Sequence, residues 1–172
     1  MGFGNNLKTW GMFAAPVVVV VGLAIPGVEF SEGTRLNAYR DPVGIPTICM
    51  GETKGVKMGD TKTLAECQAM LGGRLAEFLG EMRACTNVKL PAKTEAALLE
   101  FTYNVGSGTY CKNIAAKRLN KGKYVEACQA LKLYVKGGRP LRTLPGLVTR
   151  RERESKACLE GLAEAGLINK VW

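Results

Sequence analysis

Hydrophobic and polar positions divide the chain into an uncharged N-terminal stretch and a longer part with helical periodicity. No charged residue occurs from Thr9 to Val28, and residues 10–28 are mainly Val, Gly and Ala. A helix of about 20 apolar residues is long enough to span a bilayer. The pattern therefore predicts a membrane segment within residues 1–28 and a folded domain over residues 29–172.

The chain after this stretch changes from a helical to a strand-like pattern. Residues 28–38 predict a short helix, whereas residues 39–60 are rich in Gly and Pro, which mark turns. Residues 45–50 and 56–58 are short runs with high β-propensity. We predict that these two runs form a small antiparallel sheet.

Most of the remaining chain has helical spacing. Thr63 and Glu66 form a capping box, and apolar residues then recur at Leu64, Cys67, Leu71, Leu75, Phe78 and Met82. After a break at residues 87–91, the pattern predicts helices over residues 93–103, near 112–120, near 123–135 and over 146–162, with a loop at 136–145. The expected fold is α+β, mostly α, with a small antiparallel β-lobe, a helical lobe and a cleft between them.

The charge of the chain limits its partners and its chemistry. Lys and Arg number 24 against 15 Asp and Glu, which gives a net charge of +9 and favours an anionic partner such as nucleic acid, lipid or cell wall. The chain has no histidine, so nucleophile–histidine pairs and zinc sites that use histidine are excluded. In a hydrolase of this composition, carboxylates must perform the proton transfers.

The N-terminal stretch has three interpretations. It is weakly hydrophobic because Gly and Ala bury little area, and it contains Pro16 and Pro26. We favour a weak, uncleaved and releasable signal anchor, whose N-terminus stays cytoplasmic while the rest is exported. A cleaved signal peptide and a buried core segment of a cytosolic protein are the alternatives.

The six cysteines are consistent with export. They are Cys49, Cys67, Cys85, Cys111, Cys128 and Cys158, and none forms a C-x-x-C pair. An oxidising compartment would allow three disulfides, for which the sequence alone permits about 15 connectivities. Six reduced core cysteines are the cytosolic alternative.

Two carboxylates and a hydroxyl lie close together in the sequence. Glu32 is followed by Asp41 and Thr47, a spacing that puts one carboxyl on a helix and another on a hairpin. Glycosidic cleavage needs such a pair, with one carboxylic acid to protonate the leaving oxygen and one carboxylate to activate water. The spacing alone has little specificity, because such a set is common.

The sequence around these residues resembles that of the bacteriophage-type lysozymes of glycoside hydrolase family 24. The family pattern E-G-x-R-L-x-A-Y-x-D-x-x-G-x-x-T-I-G-x-G-H-T corresponds to EGTRLNAYRDPVGIPTICMGET at residues 32–53. Two further stretches, YNVGSG at 103–108 and LPGLVTRRE at 144–152, resemble later family motifs. The resemblance extends from about residue 28 to residue 162.

The resemblance implies a role for each matching residue. Glu32 would be the general acid, and Asp41 would act with Thr47 to position and activate water, with inversion at the anomeric carbon. Asn104 would contact sugar in the cleft, with a helix cap as its alternative role. Arg150 and Arg151 are expected to be structural, pairing with acids or packing the last helix.

The N-terminal segment resembles that of the signal-anchor-release endolysins. The resemblance implies that residues 10–28 tether an inactive enzyme to the host inner membrane, facing the periplasm, until the anchor escapes into the periplasm. Part of the apolar anchor must then be buried against the released protein. The implied function is a peptidoglycan muramidase for host cell lysis, acting as a monomer.

Two positions depart from the family pattern. Glu52 stands where the family usually has His, so a carboxylate near the cleft could raise the pKa of Glu32 or Asp41 through like-charge repulsion. Cys49 replaces a Gly and is expected to form a static bridge. The expected pairs are Cys49–Cys67, Cys85–Cys111 and Cys128–Cys158, because the middle pair flanks the central helix and the last two cysteines lie on apolar helix faces.

Other function classes remain as alternatives. A lytic transglycosylase would use one carboxylic acid and make Asp41 dispensable, and a non-catalytic cell-wall-binding module would not need Glu32. A nucleic-acid-binding protein is disfavoured by the predicted export and by the absence of a recognisable nucleic-acid motif. No cofactor or metal is expected, since the sequence has no ligand cluster, phosphate loop or dinucleotide fingerprint.

Overall fold

A computed structural model describes residues 14–169 of the chain, and most of them are helical. The elements in chain order are α1 (Val17–Glu32), β1 (Arg35–Arg40), β2 (Pro46–Cys49), α2 (Leu64–Ala84), α3 (Ala92–Val105), α4 (Ser107–Lys112), α5 (Ile114–Leu119), α6 (Tyr124–Ala130), a 3₁₀ turn (Leu131–Leu133), β3 (Lys136–Gly137), β4 (Arg142–Thr143) and α7 (Pro145–Glu164). The predicted class, a mostly helical α+β fold with a small antiparallel β-lobe, is confirmed.

Helix α1 extends from the predicted membrane segment to the first catalytic candidate. It ends at Glu32 because Gly33 adopts a positive φ of 70° and donates its N–H to the carbonyl of Glu29. The predicted helix over residues 28–38 is therefore wrong in its second half, where the chain is already in β1. Val20, Val21, Ala24 and Val28 are buried in the core.

The membrane prediction is tested only in part. Over residues 14–169, no helix is both long and apolar enough to cross a bilayer. The part of the predicted anchor before residue 14 lies outside the described residues. The part within α1 packs against α2 and α3.

The β-lobe is built from β1 and β2, which pair antiparallel with Tyr39 opposite Thr47. The predicted partner of β2, residues 56–58, is wrong, since none of these residues lies in a strand. The missed strand β1 contains Leu36 and Ala38, whose spacing was attributed to a helix. Strand β1 also pairs with the segment at residues 60–62. The Ala38 N–H donates to the Asp60 carbonyl, and the Lys62 N–H donates to the Leu36 carbonyl.

The helical lobe surrounds α3, whose residues 94–102 are all buried between α1 and α7. The capping box that starts α2 is confirmed, because the Thr63 hydroxyl accepts the Glu66 N–H and the Glu66 carboxylate accepts the Thr63 N–H. The helix predicted near 112–120 is confirmed as α5, and the helix predicted near 123–135 is confirmed as α6 followed by the 3₁₀ turn, whereas α4 was not predicted. The predicted loop at 136–145 contains the hairpin of β3 and β4.

Three disulfides join elements of the fold, in the predicted pairs. Cys49–Cys67 links β2 to α2, Cys85–Cys111 links the end of α2 to α4, and Cys128–Cys158 links α6 to α7. All six cysteines, which lie within residues 14–169, are therefore paired. The first bridge thus fastens the β-lobe to the helical lobe beside the cleft.

Candidate active site

A cleft of about 240 Å³ lies between the two lobes. Its wall combines the end of α1, the turn after β2, one face of α2 and the end of α3. The lining residues are Glu32, Met50, Gly51, Arg74, Phe78, Tyr103 and Asn104. The structure therefore brings Glu32 and Asn104, which are 72 positions apart in the sequence, to one cleft.

Glu32 is held in an ion pair by α7. Arg150 Nη1 donates to Glu32 Oε1 at 2.5 Å. The guanidinium also donates to Glu154 Oε1 at 2.9 Å and to the carbonyl of Glu100 at 3.3 Å. The side chain of Arg150 is 8% exposed and that of Glu32 is 29% exposed, so the pair lies at the edge of the buried core.

The contact of Arg150 with the acid candidate was missed in the sequence. Arg150 was predicted to pair with acids, and it does, but its partner was not identified. The signal was the LPGLVTRRE motif at residues 144–152, which places two arginines in the first turns of α7. No periodicity argument connects that helix to Glu32, because the two residues are 118 positions apart.

Asp41 and Thr47 lie on the hairpin of β1 and β2. Asp41 Oδ1 accepts the N–H of Val43 at 2.9 Å and of Ile45 at 2.8 Å. The Thr47 hydroxyl donates to the Ile45 carbonyl at 3.0 Å, and the side chain is buried. Both side chains therefore contact the backbone of one residue, Ile45, and Asp41 stabilises the turn between β1 and β2. Neither is among the residues that line the cleft.

Asn104 is fixed by the second arginine of α7. Its Oδ1 accepts a hydrogen bond from Arg151 Nη2. Arg151 is fully buried, lies 4.6 Å from the ring centroid of Phe101 and pairs with Glu154. Helix α3 ends at Val105, and the next residue, Gly106, has a positive φ and donates its N–H to the Thr102 carbonyl, so the alternative cap role of Asn104 is not observed.

The carboxylate of Glu154 is completely buried between the two arginines. Burial raises its pKa, while Arg151 and Arg150 favour its charged form. Burial also lowers the pKa of Arg151, against the attraction of Glu154. The two arginines, both paired with Glu154, orient the cleft residues, because Arg150 donates to Glu32 and Arg151 donates to Asn104.

Tyr103 connects the two lobes across the cleft. Its hydroxyl donates to the carbonyl of Met50 at 3.1 Å, and its ring lies against Phe78 with centroids 5.4 Å apart. Burial raises the pKa of Tyr103 to about 12, and the charges of Glu32 and Glu52 act in the same direction. The hydroxyl is thus a neutral hydrogen-bond donor at all working pH values.

Glu52, which replaces the usual family His, caps its own turn. Its Oε1 accepts the N–H of Thr53 at 2.9 Å and of Lys54 at 2.7 Å. It shares a small void beside the cleft with Arg74 and Tyr103. Across residues 14–169, no group of three His, Cys, Asp or Glu side chains is arranged to hold a metal ion.

Comparison with known proteins gives consistent matches along the chain. The family model described as Phage lysozyme matches residues 29–154. The SAR-endolysin of Pseudomonas phage phiKMV is 40% identical over 140 residues, which cover 80% of this chain and 86% of that protein. The SAR-endolysin of Bacteriophage PS119 is 35% identical over 152 residues, covering 88% and 89%. The solved endolysin from Escherichia coli O157:H7 phage FAHEc1 has a TM-score of 0.75 and 29% identity, covering 80% of this chain and 91% of that one.

Proposed function

Because the chain belongs to the phage lysozyme family, we propose that it is a phage endolysin that hydrolyses peptidoglycan during host lysis. The bond cleaved is the β-1,4 linkage between N-acetylmuramic acid and N-acetylglucosamine. The observation that supports this function is the position of Glu32, a carboxyl in the wall of an interlobe cleft, anchored by a buried arginine. The net charge of +9 suits the anionic polymer.

We propose that Glu32 protonates the leaving oxygen. Arg150 donates to Glu32 Oε1 only, so Oε2 is the oxygen that would carry the proton. The guanidinium has two other acceptors, Glu154 Oε1 and the Glu100 carbonyl, which keep it satisfied when Glu32 is neutral. Arg150 can therefore hold Glu32 in place in both protonation states.

Asp41 and Thr47 are proposed to position the attacking water. One oxygen of Asp41 is occupied by two backbone N–H groups, which orient the carboxylate and stabilise its charge. The Thr47 hydroxyl donates to a carbonyl, and its oxygen can still accept a hydrogen bond. Inversion requires a wide separation of the two carboxyls, consistent with one on a helix end and one on a hairpin.

We further propose a tethered state before lysis. The curated relatives are named SAR-endolysins, and residues 10–28 form the uncharged stretch expected of a signal anchor. The enzyme would be held at the inner membrane facing the periplasm and then released. Burial of Val20, Ala24 and Val28 in the core is the state that release requires, because these apolar side chains must leave the bilayer without being exposed to water.

The products of peptidoglycan digestion test the proposed reaction. Purified peptidoglycan would be digested with the full chain and with the Glu32→Gln and Asp41→Asn variants, and the fragments analysed by mass spectrometry. We expect reducing muramic-acid ends that disappear with either variant, and no loss with Glu81→Gln, an exposed carboxyl on α2. Anhydro-muramic ends that are insensitive to Asp41 would identify a transglycosylase, and cleavage that is unaffected by Glu32→Gln would refute the proposed acid.

A further inference from the structure

The excess positive charge of the chain is concentrated in one segment. Residues 101–151 contain eleven of the 24 basic residues and one of the 15 acidic residues, Glu126, so this segment has a charge of +10 and the rest of the chain has −1. Arg150 and Arg151 are buried and paired, and Lys132 pairs with Glu152. The remaining cations lie on α4, on α5 and the turn that follows it, and on the hairpin of β3 and β4.

The hairpin combines three of these cations with an exposed apolar side chain. Lys136, Arg139 and Arg142 are exposed, and no ion pair is formed by any of them with another residue between 14 and 169. Leu141, between the two arginines, is 68% exposed. Cations that flank an exposed leucine are typical of segments that bind the interface of an anionic membrane.

An apolar groove joins the hairpin to the end of α1. The groove has a volume of about 490 Å³ and is lined by Phe30 and Ser31 from α1 and by Leu144 and Leu147 at the start of α7, with Arg153 at its side. The hairpin is seated against the same leucines, because a Cβ at Gly137 would lie 2.9 Å from Leu144 Cδ1. The hairpin and the groove are therefore parts of one surface.

The outward side of α1 continues this surface. Val19, Leu23 and Phe30 are spaced by four and seven residues and so lie on one side of the helix. All three are exposed, and Phe30 is 78% exposed. The outward side of a helix in a water-soluble protein is normally polar. The exposed apolar side chains extend over about 16 Å along α1, at a rise of about 1.5 Å per residue.

We propose that this surface binds an anionic phospholipid bilayer, so that the folded enzyme stays at the membrane surface after its anchor has left the bilayer. The hairpin face, as we define it, consists of Leu23, Phe30, Lys136, Arg139, Leu141 and Arg142. The three cations contact the lipid phosphates, and the apolar side chains enter the boundary between headgroups and acyl chains. This attachment rests on the anchor release proposed above but does not depend on the catalytic roles proposed for Glu32 and Asp41.

The side chains of the hairpin face indicate that its partner is a bilayer and not peptidoglycan. Peptidoglycan offers carboxylates and sugar hydroxyls but little apolar surface, which would leave Phe30 and Leu141 exposed to water. A bilayer with anionic headgroups satisfies the apolar and the basic residues together. Exposed apolar patches with a polar rim mark interaction sites of this kind.

Vesicle sedimentation of the full, disulfide-bonded chain tests the proposal. Vesicles of phosphatidylethanolamine with phosphatidylglycerol would be compared with vesicles of phosphatidylcholine, at low and at high salt. We expect binding that requires phosphatidylglycerol and is released by salt, since surface electrostatics are screened. The Arg139→Ser/Arg142→Ser double variant should bind roughly 20-fold more weakly, because each basic residue near an anionic surface contributes roughly fivefold. Leu141→Ser should also weaken binding.

A charge-matched control separates the hairpin face from net charge. Lys117 and Lys121 are exposed on and just after α5, so the Lys117→Ser/Lys121→Ser variant changes the charge equally. We expect it to bind vesicles within about twofold of the unmodified chain, because it leaves the hairpin face intact. Equal losses in both double variants would show an effect of net charge only and overturn the proposal.

Two further outcomes would also overturn it. Binding that resists salt and is unchanged in the hairpin variants would show that the N-terminal segment inserts and that the hairpin face does not contribute. Hairpin variants that lose adsorption to purified peptidoglycan, while keeping vesicle binding, would assign the face to the polymer. Circular dichroism of each variant confirms that the fold is retained.

Discussion

The carboxylate of Glu100 occupies the space that a side chain at Gly27 would need. A Cβ at residue 27 would lie 2.0 Å from Glu100 Oε2. Arg153 Nη2 bridges the two residues, donating to the Gly27 carbonyl at 2.9 Å and to Glu100 Oε2 at 2.9 Å. The same nitrogen donates to Ser31 Oγ at 2.8 Å. The last turns of α1, which carry Glu32, thus pack against Glu100 of α3 at Gly27, where α1 has no side chain.

Replacement of this glycine should therefore interfere with docking of α1. We expect Gly27→Ala to lower the free energy of unfolding by about 1–3 kcal/mol, because the new methyl group overlaps the Glu100 carboxylate. Specific muramidase activity should fall as well, since α1 carries Glu32 at its end. The measurements are chemical denaturation and turbidity of a peptidoglycan suspension.

Gly22 provides the matched control, because a Cβ there meets no atom within 4 Å. Gly22→Ala makes the same chemical change in the same helix and should be neutral or stabilising by up to about 1 kcal/mol, since Ala favours helix. Similar losses for both variants would contradict the docking argument.

Glu100 should make stability depend on pH. Burial raises its pKa from 4.5 to about 7, although Arg153 opposes the shift. The folded state then binds more protons than the unfolded state between these values, so this residue lowers stability as pH rises from about 4.5 to 7. The effect is at most about 3.5 kcal/mol, because one pKa unit corresponds to about 1.4 kcal/mol.

Denaturation of the unmodified chain and of Glu100→Gln at pH 5 and pH 8 measures this contribution. Gln keeps an acceptor for Arg153 but does not titrate, so the variant should lose less stability over this interval. Glu77→Gln, which removes an exposed carboxyl of α2, serves as the control and should keep the slope of the unmodified chain. Identical slopes in all three proteins would show that Glu100 titrates at its ordinary pKa.

Arg150 should affect turnover more than substrate affinity. Its guanidinium holds Glu32 at 2.5 Å and does not line the cleft. We expect Arg150→Gln to lower kcat by about 10²-fold and to change KM little. This is the lower end of the rate contribution of a positioned general acid. Arg150→Lys should recover part of this loss because it keeps the positive charge.

The control for this variant is Lys156→Gln, which removes an exposed cation from the same helix. Circular dichroism and denaturation establish the folded fraction, because loss of Arg150 also leaves Glu154 with one arginine. A change confined to KM would assign Arg150 to substrate binding, contrary to its proposed action on Glu32.

The sequence predicted local features better than contacts between distant segments. The capping box of Thr63 and Glu66 depends on four consecutive residues, and it was correct. Strand β1 was missed because Leu36 and Ala38 fit a helix as well as a strand, and only pairing with β2 and residues 60–62 decides between them. The pairing of the six cysteines coincides with the prediction.

In the candidate site, too, the sequence predicted the motif residues but not their contacts with distant segments. The family motif identified Glu32 and Asn104 as cleft residues, and the structure places both in the cleft wall. The arginines that orient them come from α7, more than 40 positions away in each case. Their partners depend on the packing of α3 between α1 and α7, which hydrophobic periodicity cannot specify. The catalytic roles of Asp41 and Thr47 stay predictions.

Glu52 should influence the pH dependence of the reaction. Its charge acts on Arg74 and on Tyr103, which both line the cleft. Glu52→His removes a negative charge near neutral pH and adds a positive one at lower pH, which favours ionised carboxyls in the cleft. We therefore expect the acidic and basic limbs of the kcat/KM profile to move to lower pH.

Glu52→Gln separates charge from geometry, because its amide oxygen can still accept the N–H groups of Thr53 and Lys54. If charge is the cause, Glu52→Gln should shift the profile in the same direction by a smaller amount. A profile that is unchanged in both variants would show that the residue at position 52 caps its turn and has no electrostatic effect on catalysis.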